Sequence, residues 1–232
     1  MKTILLGVAI ALVAGTAFAA DMPVKAPPMA PPPPTWTGTY IGINGGYGWA
    51  TSNHTNVTTG LTSGDFDTNG GVAGVTYGGN WQAGHVVLGF ETDFDWADIK
   101  GTSGLAAVCG GGNCFTTTKW LSTERMRAGW DFNGWLLYGT AGAAFADVQA
   151  GVVGFGPNGE KSRGGWTAGV GLETMFWHNW SAKVEYLHYD LGKDITWNAA
   201  GPTGVAVLDR GDLVRAGINY HFDMMNLFSF LR

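Results

Sequence analysis

The stretch Gly165–Tyr189 limits the possible folds more than any other. Trp166, Ala168, Val170, Leu172, Thr174 and Phe176 alternate with Thr167, Gly169, Gly171 and Glu173. A tight Trp177-His178-Asn179 follows. Beyond it Trp180, Ala182, Val184, Tyr186 and His188 alternate with Ser181, Lys183, Glu185 and Leu187. A period of two puts alternate side chains on opposite faces, so the stretch predicts a β-hairpin. One face is apolar with aromatics at its ends; the other carries Gly, Thr and charges. A soluble sandwich would bury the apolar face. A barrel in a membrane turns that face to lipid and keeps the polar one in its lumen.

The N-terminus bears on the compartment. Lys2, the apolar run Ile4–Val13 and Ala17-Phe18-Ala19 have the form of a secretory signal peptide. Cleavage is expected after Ala19, with Ala20 the second choice, giving a signal over 1–19. The run is too short to span a bilayer as a helix. Residues 20–35 hold most of the prolines and predict a polyproline II linker on the periplasmic side. Only 13% of residues are charged, against about 25% in soluble domains. There are 38 Gly and 11 Trp in 232 residues, a composition suited to a small lipid-facing barrel. The net charge of −5 argues against a nucleic-acid surface. Cys109 and Cys114, in CGGGNC, are expected to form a disulfide after export to an oxidising compartment.

From Trp36 onward the pattern repeats, predicting eight strands over 36–222. Strand one turns Tyr40, Asn44, Gly46 and Gly48 inward, and strand two Gly74, Thr76, Gly78 and Asn80. Strand three turns Glu91, Asp93 and Asp95 inward; strand four Thr123, Arg125, Arg127 and Gly129. Strand five is apolar on both faces and its parity stays open. Strands six and seven are the opening hairpin, and strand eight turns Arg215, Gly217, Asn219 and His221 inward. No predicted strand contains proline, as an unbroken ladder requires. Connections near 82–85, 132–134 and 177–179 are short. Those at 51–69, 98–118, 148–164 and 190–211 read as long polar loops. The fold expected is therefore an all-β, eight-stranded antiparallel up-and-down transmembrane β-barrel with short periplasmic turns and long extracellular loops.

The aromatics form two rings. Trp36, Trp81, Trp130, Trp135 and Trp180 mark the short-turn ends; Trp49, Trp96, Trp120 and Trp166 mark the long-loop ends. Ten residues, at roughly 3.3 Å each and a tilt near 45°, separate the rings by about 23 Å, close to an apolar band of about 25 Å. Glu124 falls on the lipid side of strand four, where it either snorkels to the interface or marks a slip in register.

Several segments together carry a family resemblance: WTGTYIGINGGYGWA, NWQAGHVVLGFETDFDWAD, TERMRAGW, GWTAGVGLE and NWSAKVEYLHYDLG. With the export signal and the Pro-rich linker, they resemble the outer-membrane immunogenic, porin-like proteins of alphaproteobacteria, small barrels of the OmpA type. The resemblance covers nearly all of Trp36–Phe222. It implies a surface barrel of the cell outer membrane tied to envelope integrity and antigenicity, with haem binding described for some relatives. It brings no catalytic residues. Family members end on the aromatic of the last strand, which implies Tyr220 and Phe222 as the signal read by the barrel-assembly machinery. This chain runs on through a tail at 223–232.

The candidate site is the set of inward charges: Glu91, Asp93, Arg125, Arg127, Glu173, Lys183, Glu185 and Arg215. Measured from Trp96 and Trp120, Glu91 and Arg125 fall at one height on adjacent strands and should face each other. Buried charges persist only when paired, and a lumen of eight strands is narrow enough for side chains to fill. Two readings follow: a salt-bridged plug that fixes the barrel, or a gate for a small pore. Surface ligand binding or adhesion would use the polar loops, where His54 is the single candidate for haem. An enzyme is not expected. His188 is the one outward candidate base, and no nucleophile or acid lines up beside it in sequence. No cofactor or metal is expected, since the His spacing gives no ligand set. Expected partners are outer-membrane lipid and lipopolysaccharide, the assembly machinery, and peptidoglycan through the linker.

Overall fold

The computed structural model describes residues 35–198 and 204–222. The expected signal, all but the last residue of the linker, and the tail after Phe222 lie outside the described residues. Eight strands follow in order: β1 (Gly38–Asn56), β2 (Thr62–Ala83), β3 (Val86–Leu105), β4 (Asn113–Asp131), β5 (Trp135–Val152), β6 (Gly156–Trp177), β7 (Trp180–Asn198) and β8 (Gly204–Phe222). Each pairs antiparallel with its neighbours, and β8 closes on β1, with Phe222 opposite Thr39 and Val214 opposite Tyr47. Closure matters in a bilayer, because an open sheet edge would leave peptide groups without partners.

One end is tied by tight hairpins. Gly84 (φ 62°) and His85 join β2 to β3. Phe132-Asn133-Gly134, with φ of 57° and 94° at the last two, joins β4 to β5. His178 (φ 40°) and Asn179 join β6 to β7. Positive φ at such turns matches the twist of the flanking strands. The outer face is apolar, with Ile41, Ile43, Val75, Phe90, Met126, Leu137, Val170, Val184 and Ile218 all exposed. Trp49, Trp81, Trp96, Trp130, Trp135, Trp166 and Trp180 are exposed with them, and Trp120 is half-buried. Trp96 and Trp120 are direct partners across β3 and β4. Glu124 is exposed on the wall, opposite Thr92 and Ala143, with the ladder unbroken there.

Three expectations need correction. Trp36 is not in the periplasmic ring. It is 1% exposed, folded into the barrel mouth, where its indole Nε1–H donates to Asp131 Oδ1 at 3.1 Å. It precedes β1, so the strand alternation that fixes the other tryptophans does not govern it. The stretches read as long loops are mostly strand: 51–56, 62–69, 98–105, 113–118, 148–152, 156–164, 190–198 and 204–211 continue the ladders past the outer aromatic ring. Where their side chains are described, the outward residues are largely polar, as at Thr51, Asn53, Asp65, Asp67, Asp98 and Lys100, so apolar alternation is lost while pairing continues. Pro157 lies inside β6, opposite Gly151 at a register shift beside the strand's start, where a missing N–H is tolerated. The parity of strand five, left open by the sequence, is resolved by burial: Leu136, Tyr138, Thr140, Ala144 and Ala146 point in, and Trp135, Leu137 and Phe145 point out.

Candidate functional site

Inward positions stack into layers. At the periplasmic mouth Trp36 packs with Val87, Leu136 and Tyr138, and edge-on against His221 at 5.8 Å. Just above, Glu173 on β6 accepts from Ser181 Oγ and from Asn219 Nδ2 at 2.8 Å. Arg127 on β4 reaches Glu173 Oε2 at 2.7 Å and lies between two tyrosine rings, 5.3 Å from Tyr40 and 4.5 Å from Tyr138. Glycine makes this possible. A Cβ on Gly78 would stand 2.3 Å from the Tyr40 hydroxyl, and one on Gly171 would stand 2.3 Å from Cζ of Tyr138. Each Gly sits inward on the strand beside its tyrosine and lends the volume the ring occupies.

The central layer is ionic. Glu91 and Arg125 are register partners across β3 and β4. Arg125 pairs with Glu91 at 2.6 Å, with Asp93, and with Glu185 at 2.8 Å. Arg215 pairs with Asp93 at 2.6 Å, Asp95 at 2.7 Å and Glu185 at 2.8 Å. Lys183 reaches Glu91 Oε2 at 2.8 Å, and Arg127 touches the same oxygen at 3.3 Å. Tyr40 and Tyr138 donate their hydroxyls to Glu91 at 2.7 Å and Glu185 at 3.0 Å. Every one of the expected charges is thus buried and interlinked. Two guanidiniums each bridge at least three carboxylates, so the section is cross-braced rather than paired off. Asp95, Tyr40, Tyr138, Thr76, Thr123, Ser181 and Asn219 belong to the same network, and the candidate set of charges omits them. All share the inward parity, which is the signal that finds them. Removing several ions from water costs several kcal/mol each, and only such dense mutual pairing recovers it.

The ionic layer is roofed by an apolar one. Ile99, Leu121, Leu187 and Leu213, each at most 2% exposed, form one cluster with Ala50, Val72, Ala144, Ala146, Val148, Tyr189 and Leu191. The cluster draws on every strand but β6, so it crosses the section.

Above the outer ring a second polar layer begins. Asp209, opposite Ser52, accepts from Thr118 Oγ1 at 3.4 Å. Burial pushes its carboxyl up to about 6, against the pull of the Arg163 guanidinium. Ser52 and His54 share Thr116 Oγ1, at 2.8 and 2.9 Å. Burial, helped by Arg163, lowers the His54 imidazole to about 4. The outer end is covered by the 3-10 turn Ala107–Cys109 and the Cys109–Cys114 disulfide, with a Cα–Cα distance of 5.7 Å. His54 is buried beneath it, away from any surface haem.

On the outer wall, His188 has an acid beside it after all. Its Nδ1 lies 2.9 Å from Asp212 Oδ1, which also accepts from the Tyr186 hydroxyl at 2.5 Å. Sequence alone does not reveal the acid, because the β7–β8 register runs across the long 190–211 stretch. Trp166 packs against the imidazole at 5.4 Å. Among the described residues the hydrogen-bond partner of this ring is Asp212.

A model of the outer membrane protein beta-barrel domain family matches residues 8–222. The chain belongs to that family. It is an outer-membrane β-barrel, with lipid against its wall. It is 35% identical to the 31 kDa outer-membrane immunogenic protein of Brucella melitensis, over 96% of this chain and all of that one. It is 35% identical to the 25 kDa outer-membrane immunogenic protein of Brucella canis, over 89% and 91%. The outer membrane protein OprG of Pseudomonas aeruginosa aligns over 80% of this chain and 97% of its own, with a TM-score of 0.48 and 14% identity. The resemblance drawn from the sequence thus names the right family.

Proposed function

We propose that this protein is a closed structural barrel that contributes to envelope integrity and presents a surface antigen, not a pore and not an enzyme. The observation that carries the reading is the stacked interior: an ionic layer of interlocked guanidiniums and carboxylates roofed by a leucine and isoleucine layer across the lumen. A solute or ion would meet buried charge already neutralised, then a dry constriction. The antigen role is supported by the Brucella relatives, whose names call them immunogenic. The strands that rise past the outer ring would be the surface displayed. Tyr220 and Phe222, at the end of β8, would serve the assembly machinery. Trp49, Trp96, Trp120 and Trp166 would sit among lipopolysaccharide at the outer interface, and residues 20–35 would reach toward peptidoglycan. The deciding experiment is single-channel recording of the refolded protein in planar bilayers. A silent protein that still shows folded, heat-modifiable migration on a gel is the expected result. Steady openings would return the ionic layer to the role of a gate.

A further inference from the structure

The outer cap brings His54 beside the Cys109–Cys114 pair. His54 stands near the end of β1, Cys109 ends the 3-10 turn, and Cys114 is the second residue of β4. One ligand atom from each lies within 4.8 Å of the other two, and all three residues are buried. Thr116 Oγ1, hydrogen-bonded to His54 Nε2, fixes the tilt of the ring, and Phe66 packs edge-on against it at 5.5 Å. The Cys114 N–H donates to Ser103 Oγ at 2.9 Å, which anchors that cysteine's backbone. Val108, Ala106, Ala150 and Val207 make the surroundings apolar.

We propose that, once the disulfide is reduced, His54, Cys109 and Cys114 form a binding site for a soft or borderline metal ion such as Zn²⁺ or Cd²⁺ beneath the extracellular cap. Two thiolates and an imidazole are a donor set such ions take. At Zn–S near 2.3 Å and Zn–N near 2.0 Å, donors of a tetrahedral ion lie about 3.5–3.8 Å apart. The imidazole needs to approach by about an ångström, and the two sulfurs need to part. The chain between the cysteines can provide this. Gly110 and Gly111 hold positive φ of 64° and 84°, and a Cβ on either would meet nothing within 4 Å, so the loop is unconfined on that side. The chemistry balances in two steps. Two equivalents of a small thiol reduce the Cys109–Cys114 bond, giving two cysteine thiols and one disulfide of the reductant. The divalent ion then displaces one proton from each thiol and accepts both sulfur lone pairs and one from the imidazole. The closed pair thus works as a lock, so that oxidised protein leaves the ion in solution and reduced protein takes it up.

The test uses the full barrel refolded in detergent, reduced with a phosphine, freed of reductant and titrated with Cd²⁺, with thiolate-to-metal charge-transfer absorption as the readout. The expected result is one ion per chain in reduced protein and none in oxidised protein. His54→Ala should weaken binding at least about 10-fold, and Cys109→Ser with Cys114→Ser should abolish the absorption. His54→Gln keeps a polar partner for Thr116 and guards against a variant that fails to fold; gel migration of the folded form is checked for each. Absorption equal in His54→Ala and His54→Gln to that of the unaltered reduced protein overturns the site, leaving two thiolates acting alone. So does a reduced protein that binds no ion, or one that loses the folded migration on reduction.

Discussion

The lower and upper halves of the lumen solve one problem in two ways. Both are filled by side chains at alternate positions of the same eight strands. Below, within the membrane, the filling is ionic, with Arg125 and Arg215 each bridging at least three carboxylates. Above, at the height of the outer ring, it is Ile99, Leu121, Leu187 and Leu213. The ionic half fixes register, because a slip of one residue would turn Glu91 or Arg125 to lipid. The apolar half fixes no such partner by charge and closes the section by volume. One half specifies the barrel and the other seals it.

The largest expected effect comes from breaking the ionic half. Arg125→Ala leaves Glu91, Asp93 and Glu185 short of a cation in a buried section, and should cost about 3–5 kcal/mol or prevent refolding. Denaturant unfolding in lipid vesicles, followed by gel migration, reads this. Arg125→Ala should not conduct, because the leucine layer above is untouched. Steady current in that variant would show that the ions, not the leucines, seal the lumen.

The apolar half should answer with a smaller loss and the opposite leak. Leu213→Ala empties volume between β7 and β1 and should cost about 2–5 kcal/mol. Combined with Leu121→Ala it thins the seal from two sides while leaving every ion pair in place. Bilayer recordings of the double variant should show brief openings where Arg125→Ala shows none. A silent double variant would mean that the ionic layer closes the section unaided.

The two halves also differ in how far they can be read from sequence. Period-two alternation between aromatic rings places Glu91 opposite Arg125, because lipid demands apolar residues at every other position. The same rule fails above the ring, where water replaces lipid. There Thr68, Thr116, Thr118 and Asp209 point in from strands whose outward positions, such as Asp67, Thr117, Lys119 and Arg210, are mostly polar, and the segments look like loops. Trp36 escapes the rule because it precedes the ladder. The His188–Asp212 contact depends on a register that only three-dimensional pairing gives.

The upper region's polar layer supplies the finest test. Asp209 lies three residues beyond Asp212, the partner of Trp49, and so above the membrane. Its carboxyl is raised from 3.8 to about 6. Between those values the unfolded chain has lost the proton and the folded barrel keeps it. The folded state then binds more protons, so this group's contribution falls as pH rises from about 4 to 6. His54, lowered from 6.5 to about 4, pushes stability the other way over the same range. The two trends nearly cancel in the native protein, and a variant separates them. Asp209→Asn removes the falling trend and keeps the rising one. Its unfolding free energy relative to native protein should therefore grow by about 2–3 kcal/mol from pH 4 to 7, at about 1.4 kcal/mol per pH unit between the unfolded and folded titrations of the carboxyl. A difference that is flat with pH would mean that Arg163 holds Asp209 ionised throughout, and that the outer layer, like the inner one, is built on a paired charge.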